Sequence, residues 1–263
     1  GHTEVAKLLV QKGADLDLQT SKGVTALMCA CLKGHFEIGH LLVAKGAQVN
    51  LITNLGNTAL LIAAQGGFVD LVRLLAENGA NLDAQNPLGK TALMIACESG
   101  FFQVTEVLCI HGAKLDVQNH LGWTALMLAC QAPPKPPCSR EHLIRCVKAC
   151  WVAGADAEVK NKLGANALLV AKQSGRDDVE TFLKFVLNSR VSQVLLHQMH
   201  CPRNVLLSFY ENKHWNAEDC CDLTTQDLRS LGIQDSRLQK EALQRFDRAA
   251  HQACLSCLWT RIF

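Results

Sequence analysis

A five-residue phrase returns along this chain at a fixed distance, and that return restricts the fold more than any other property of the sequence. GVTAL, GNTAL, GKTAL, GWTAL and GANAL place a hydroxyl or amide side chain at Thr25, Thr58, Thr91, Thr124 and Asn166, at intervals of 33, 33, 33 and 42 residues. A Gly-Ala pair beginning at Gly13, Gly46, Gly79, Gly112 and Gly154 keeps the same intervals. The extra residues of the last interval therefore fall between Thr124 and Gly154, where APPKPPCSR at 132–140 is foreign to the pattern.

Each period reads as two helices and a tip. The Thr or Asn side chain caps the free N–H groups of a short, almost wholly apolar first helix such as TALMIAC, Thr91 to Cys97. A Gly nine residues on, at Gly34, Gly67, Gly100 and Gly175, lets the chain reverse in a left-handed conformation. A second helix follows, as in FVDLVRLLAEN, with apolar residues at helical spacing, and the Gly-Ala pair ends it. A polar tip such as QNPLGK, closed by Gly89, then carries the chain out and back to the next cap.

Such a unit cannot stand alone. Ordering 33 residues costs on the order of 50 kcal/mol, and offsetting that takes roughly 2000 Å² of buried apolar area, more than one thin helix pair supplies. Neighbouring units must cover each other. Residues 1–14 carry only the second helix of a unit, so at least one further repeat is expected upstream.

The 33-residue helix pair with a hairpin tip resembles the ankyrin repeat, whose signature reads T-P-L-H-x-A. The resemblance covers residues 1–188, with a partial first repeat and the insertion at 132–140, and implies an all-α solenoid with β-hairpin tips. Two departures recur. Ala26, Ala59, Ala92, Ala125 and Ala167 replace Pro, and Met28, Leu61, Met94, Met127 and Leu169 replace His. The second swap takes away a hydrogen-bonding side chain, so weaker polar ties between repeats are expected.

Composition narrows the function. Apolar residues make up 49% of the 263, enough for a large core, while 26 Lys and Arg against 24 Asp and Glu fall far short of the positive density that nucleic acid requires. No apolar run is long enough to cross a bilayer, so no membrane partner is expected. The 13 Cys are odd in number, lie mostly inside helical patterns and accompany no Asn-x-Ser/Thr site, which places the chain in a reducing compartment, the cytoplasm or nucleus.

The resemblance implies that a protein partner is held on the concave surface lined by the tips and the first helices. The positions are Lys22, Val24, Leu32, Lys33, Asn54, Leu55, Asn57, Gln65, Leu88, Lys90, Glu98, Ser99, His120, Leu121, Trp123, Gln131, Lys162 and Leu163. Leu55, Leu88, Leu121 and Leu163 each precede the tip Gly; they either pack tip against tip or form an apolar strip for the partner. Trp123 stands where the other copies have Val, Asn, Lys and Ala, so the fold does not require it, and it serves as an anchor or packs under the insertion. The lysines outnumber Glu98, which favours an acidic partner. PPKPP in the insertion prefers an extended form and serves as a stiff spacer or a docking peptide.

Beyond 188 the period stops. Residues 189–203 read as a linker helix, 204–257 as a small helical bundle and 258–263 as a tail. Thr224 and Asp227 form a capping box for TTQDLRSL, Gly232 ends that helix, and Ser236 caps a long one. Together with FYEN and LTTQDLRSLGI, this order resembles the second half of a sterile alpha motif domain, with a death-fold bundle as the other option. Head-to-tail self-association, as that resemblance implies, would use Asp219, Asp222 and Asp227 against Arg237 and Lys240.

Chemical motifs fail one by one. Gly89-Lys90-Thr91 lacks the leading Gly of a phosphate loop, since Ala84 stands there. Cys254, Cys257 and His251 share one helix with no second ligand pair, so no metal is expected. Cys29, Cys31, Cys97 and Cys130 read as small core residues. No catalytic residue, metal or cofactor is assigned, and the chain reads as a non-catalytic adaptor; the alternative is a regulatory or substrate-recognition fragment of a ubiquitin ligase or kinase.

Overall fold

The computed structural model describes residues 2–131 and 139–188, with isolated helical positions at Arg203, Leu207 and Glu211. The chain divides into two compact units, residues 1–179 and 180–263. Among the described residues the elements are α1 Thr3–Gln11, α2 Ala26–Lys33, α3 Phe36–Ala44, α4 Ala59–Gly66, α5 Val69–Glu77, α6 Ala92–Ser99, α7 Phe102–Ile110, α8 Ala125–Gln131, α9 Arg140–Ala153, α10 Ala167–Gln173 and α11 Asp177–Asn188.

In the first unit each expected cap is made. The hydroxyls of Thr25, Thr58, Thr91 and Thr124 accept from the N–H three residues on at 3.2–3.3 Å, and Asn166 Oδ1 accepts from Leu169 N at 3.0 Å. Because the first helices carry apolar residues on most sides, they bury inside the stack. α2, α4, α6, α8 and α10 form one layer, each against the next, while α1, α3, α5, α7 and α9 form the second. The core lies between, led by Leu27, Leu60, Leu71, Leu75, Leu93, Leu108 and Leu126. Phe68, at the start of α5, fills the space that a side chain on Gly34 or Gly66 would need, which keys one repeat into the next.

The tips are hairpins two hydrogen bonds long. Thr20, Thr53, Asn86, Asn119 and Asn161 donate their N–H to the carbonyls of Val24, Asn57, Lys90, Trp123 and Ala165 at 2.9–3.0 Å, and each accepts from the tip Gly N–H at 2.8–2.9 Å. Only the Ile52–Thr58 pair forms an isolated antiparallel bridge among the described residues.

The expected weakening of polar ties between repeats is not seen. Asp17, Asn50, Asp83 and Asp116 each accept a backbone N–H from the following repeat, that of Gln48, Asn81, Lys114 and Asp156, at 2.8–3.0 Å. Gln85 and Gln118 donate to the carbonyls of Gln118 and Lys160. Side chains outside the TALM-type phrase make these links.

Arg176 is buried and grips Asp178 with two hydrogen bonds, Nε–Oδ1 at 3.0 Å and Nη2–Oδ2 at 2.9 Å. Burial pulls the Asp178 carboxyl up, but the hydrogen bonds and charge of Arg176 outweigh it and hold the carboxyl below its ordinary 3.8. A carboxyl depressed on folding stabilises the protein above its unfolded pKa and loses that contribution as pH falls through the folded value. The urea midpoint is therefore expected to fall on acidification below about pH 4, and Asp178→Asn to flatten that fall. An unchanged slope in the variant would discard this assignment.

Candidate partner-binding surface

The first helices expose one stripe. On α2, Ala26, Cys29, Leu32 and Lys33 are exposed while Leu27, Met28, Ala30 and Cys31 are buried, the arrangement expected when positions three and four apart share a face. Gln65, Glu98 and Gln131 continue it on the next three helices. Cys29 is thus not a core residue as its apolar neighbours suggested; it sits mid-stripe, followed by half-buried Ile62 and Ile95. These three extend the surface, and counting four residues from each cap would have found them. Cys31, Cys97 and Cys130 are buried as expected. Burial pushes the Cys31 thiol up to about 12, and does the same to Cys130, so both stay protonated.

The tips carry the other half of the surface. Leu55, Leu88, Leu121 and Leu163 are 73%, 63%, 65% and 84% exposed. Packing of tip against tip is therefore excluded for these side chains, because backbone does that joining: Asn54 N donates to Lys22 O at 3.0 Å and Lys162 N to Leu121 O at 3.2 Å. Ile52, where three other copies have Gln and the last has Lys160, adds an exposed apolar residue that sequence reading passed over.

Two of the polar tip side chains are already engaged. Asn54 Nδ2 donates to Ser21 O at 2.9 Å, and a ring nitrogen of His120 lies 3.0 Å from Pro87 O. They brace the tips. Lys90 is half-buried and pairs with exposed Glu98, so those charges cancel and the positive excess rests on exposed Lys22, Lys33 and Lys162. Val24, Asn57, Ser99 and Trp123 are half-buried. Asp219, Asp222, Asp227, Arg237 and Lys240 lie outside the described residues, as do Thr224 and the Cys254 group.

Among the described residues no three His, Cys, Asp or Glu side chains are grouped to hold a metal, and no helix is long and apolar enough to cross a membrane.

A two-layer helical solenoid with braced tips and an exposed stripe defines a stacked repeat protein. The profile of the ankyrin repeats, in three copies, matches residues 1–86 and 78–135, and the chain belongs to that family. Ankyrin repeats are protein–protein interaction modules, and the fold is typically non-catalytic. A solved relative is the crystal structure of EF0377, an ankyrin repeat protein, with a TM-score of 0.63 and 26% identity over 69% of this chain and 91% of that one. No curated protein matches the chain.

Proposed function

We propose that this chain is a non-catalytic adaptor that grips a partner protein along its hairpin tips and the exposed stripe of its first helices. The observation that carries this is the set of four exposed leucines at one repeated tip position. A solvated tip does not need Leu, and a repeated apolar row that the fold leaves uncovered fits a partner contact. Half-buried Trp123 stands beside Leu121 in the same tip and supplies the anchor. Lys22, Lys33 and Lys162 favour a partner with acidic residues beside its apolar ones. In this reading residues 1–188 form the gripping domain and 189–203 a linker, with a sterile-alpha-motif-like bundle at 204–257 recruiting a second protein or another copy of the chain, in the cytoplasm or nucleus.

Affinity capture with the wild type and with Leu88→Ser, Leu121→Ser tests it. The pair is expected to melt within a few degrees of the wild type, since both side chains are exposed, and to lose a bound protein at least roughly tenfold. Identical capture by both forms would refute the tip surface.

A further inference from the structure

The exposed leucines stand in register with two lysines. Taking the residue before the Gly of each tip in order gives Lys22, Leu55, Leu88, Leu121 and Leu163, and Lys162 stands beside the last. All six are exposed. The tips are joined in the same way near both ends of this row: Asn54 N donates to Lys22 O at 3.0 Å, and Lys162 N to Leu121 O at 3.2 Å. Between them a Cβ on Gly56 would meet Pro87 at 3.1 Å, and one on Gly89 would meet His120 N at 2.9 Å. The row is therefore continuous, with one residue per tip and a cation at each end.

Its step is the step of the stack. α2, α4, α6, α8 and α10 pack each against the next. Neighbouring helices lie about 8–10 Å apart, so the four leucines span about 24–30 Å. That step selects among the shapes a bound segment can take. In an extended strand the side chains of one face return every roughly 6.4–6.8 Å, which falls out of step after one tip. In an α-helix the residue seven places on returns at roughly 10.5 Å, so a fourth contact overshoots to about 31 Å. Polyproline II turns once in three residues and about 9.3 Å, and three turns, about 28 Å, stay within the span. The polar groups beside the row agree. Asn54 and His120 are engaged in bracing the tips and do not serve a strand's backbone, whereas a polyproline II backbone stays solvated and needs no such partner.

We propose, building on the reading of this row as a partner contact, that its occupant is a proline-rich segment of another protein in the polyproline II form. It carries an apolar side chain at every third position and an acidic residue at each end. The apolar side chains lie on Leu55, Leu88, Leu121 and Leu163, and the carboxylates meet Lys22 and Lys162. Spacing sets which side chain meets which tip, and the terminal charges oppose a slip by one tip. PPKPP of a second copy does not fit, since it holds a cation and no large apolar side chain.

Fluorescence anisotropy with the full chain and labelled synthetic peptides tests this. EPPLPPLPPLPPLE, with Leu at every third position, is expected to bind saturably. EPLPLPLPLPPPPE, of the same composition with Leu at every second position, is expected to bind at least roughly tenfold more weakly, as is an Ala-rich helical peptide with Leu at every seventh position and Glu at each end. The Leu88→Ser, Leu121→Ser pair is expected to weaken the first peptide at least roughly tenfold. Lys22→Glu with Lys162→Glu is expected to weaken it severalfold, and less so at high salt. Thermal melting checks that each variant is folded. No binding of the first peptide, equal affinity for all three, or binding indifferent to the leucine substitutions would overturn the proposal. Tighter binding of the helical peptide, lost in Leu88→Ser, Leu121→Ser, would overturn the polyproline form and leave the tip surface standing. Failure of the tip surface itself shows separately, as identical protein capture by wild type and the leucine variant.

Discussion

Leu75→Ala is expected to lower the stability of the stack by about 2–5 kcal/mol, and with it the melting midpoint by roughly 10 °C. The side chain has no exposed surface and sits on α5, between α4 and α7. Truncation removes its transfer free energy and leaves a cavity that flanking helices on both sides of the stack hold open. The comparison that gives the result meaning is Leu55→Ala, the same chemical change on a tip side chain that is 73% exposed, for which the expected cost is below about 0.5 kcal/mol. Equal shifts in the two variants, measured by thermal melting, would mean that the two-layer arrangement is wrong.

Gly122→Ala carries the second large effect, about 2–3 kcal/mol of lost stability. Gly122 closes the fourth tip at φ +79°, a left-handed conformation that a Cβ disfavours, and a Cβ there would lie 2.7 Å from Lys162 N and 3.1 Å from Asn161 Cα. Those neighbours are backbone of the next tip and cannot turn aside. Gly112→Ala separates the two contributions: φ is +84° but nothing lies within 4 Å, so only the conformational cost of about 1 kcal/mol is expected. If chemical denaturation finds both variants equally stable, close approach between tips is not what Gly122 provides. Because the joined tips also present Leu121 and Lys162, Gly122→Ala is further expected to weaken partner capture.

Features governed by near neighbours were readable in advance. A Thr side chain caps the N–H three residues later whatever surrounds it, so five first-helix starts could be placed from the repeated phrase alone, and all five caps are made. The Gly turns follow from the same local logic. What the sequence hid is what the folded surroundings of a side chain decide. Asn54 and His120 fall at partner-facing positions by the repeat pattern, yet both hydrogen-bond to the preceding tip, 33 residues back. Lys90 looks free for an acidic partner in the sequence, but Glu98, eight residues on, pairs with it. Cys29 has the apolar neighbours of a core thiol in the sequence, whereas its angular position on α2 turns it outward.

Period, caps and turns come from a few adjacent residues acting through short-range sterics and hydrogen bonds, and those interactions are written in order along the chain. That was enough to establish a stacked helical array. Which leucines stay wet and which polar side chains are engaged depends on groups 33 positions apart sharing one volume. Periodicity says that such positions lie in neighbouring layers, but the distances between their atoms arise only once the layers have packed.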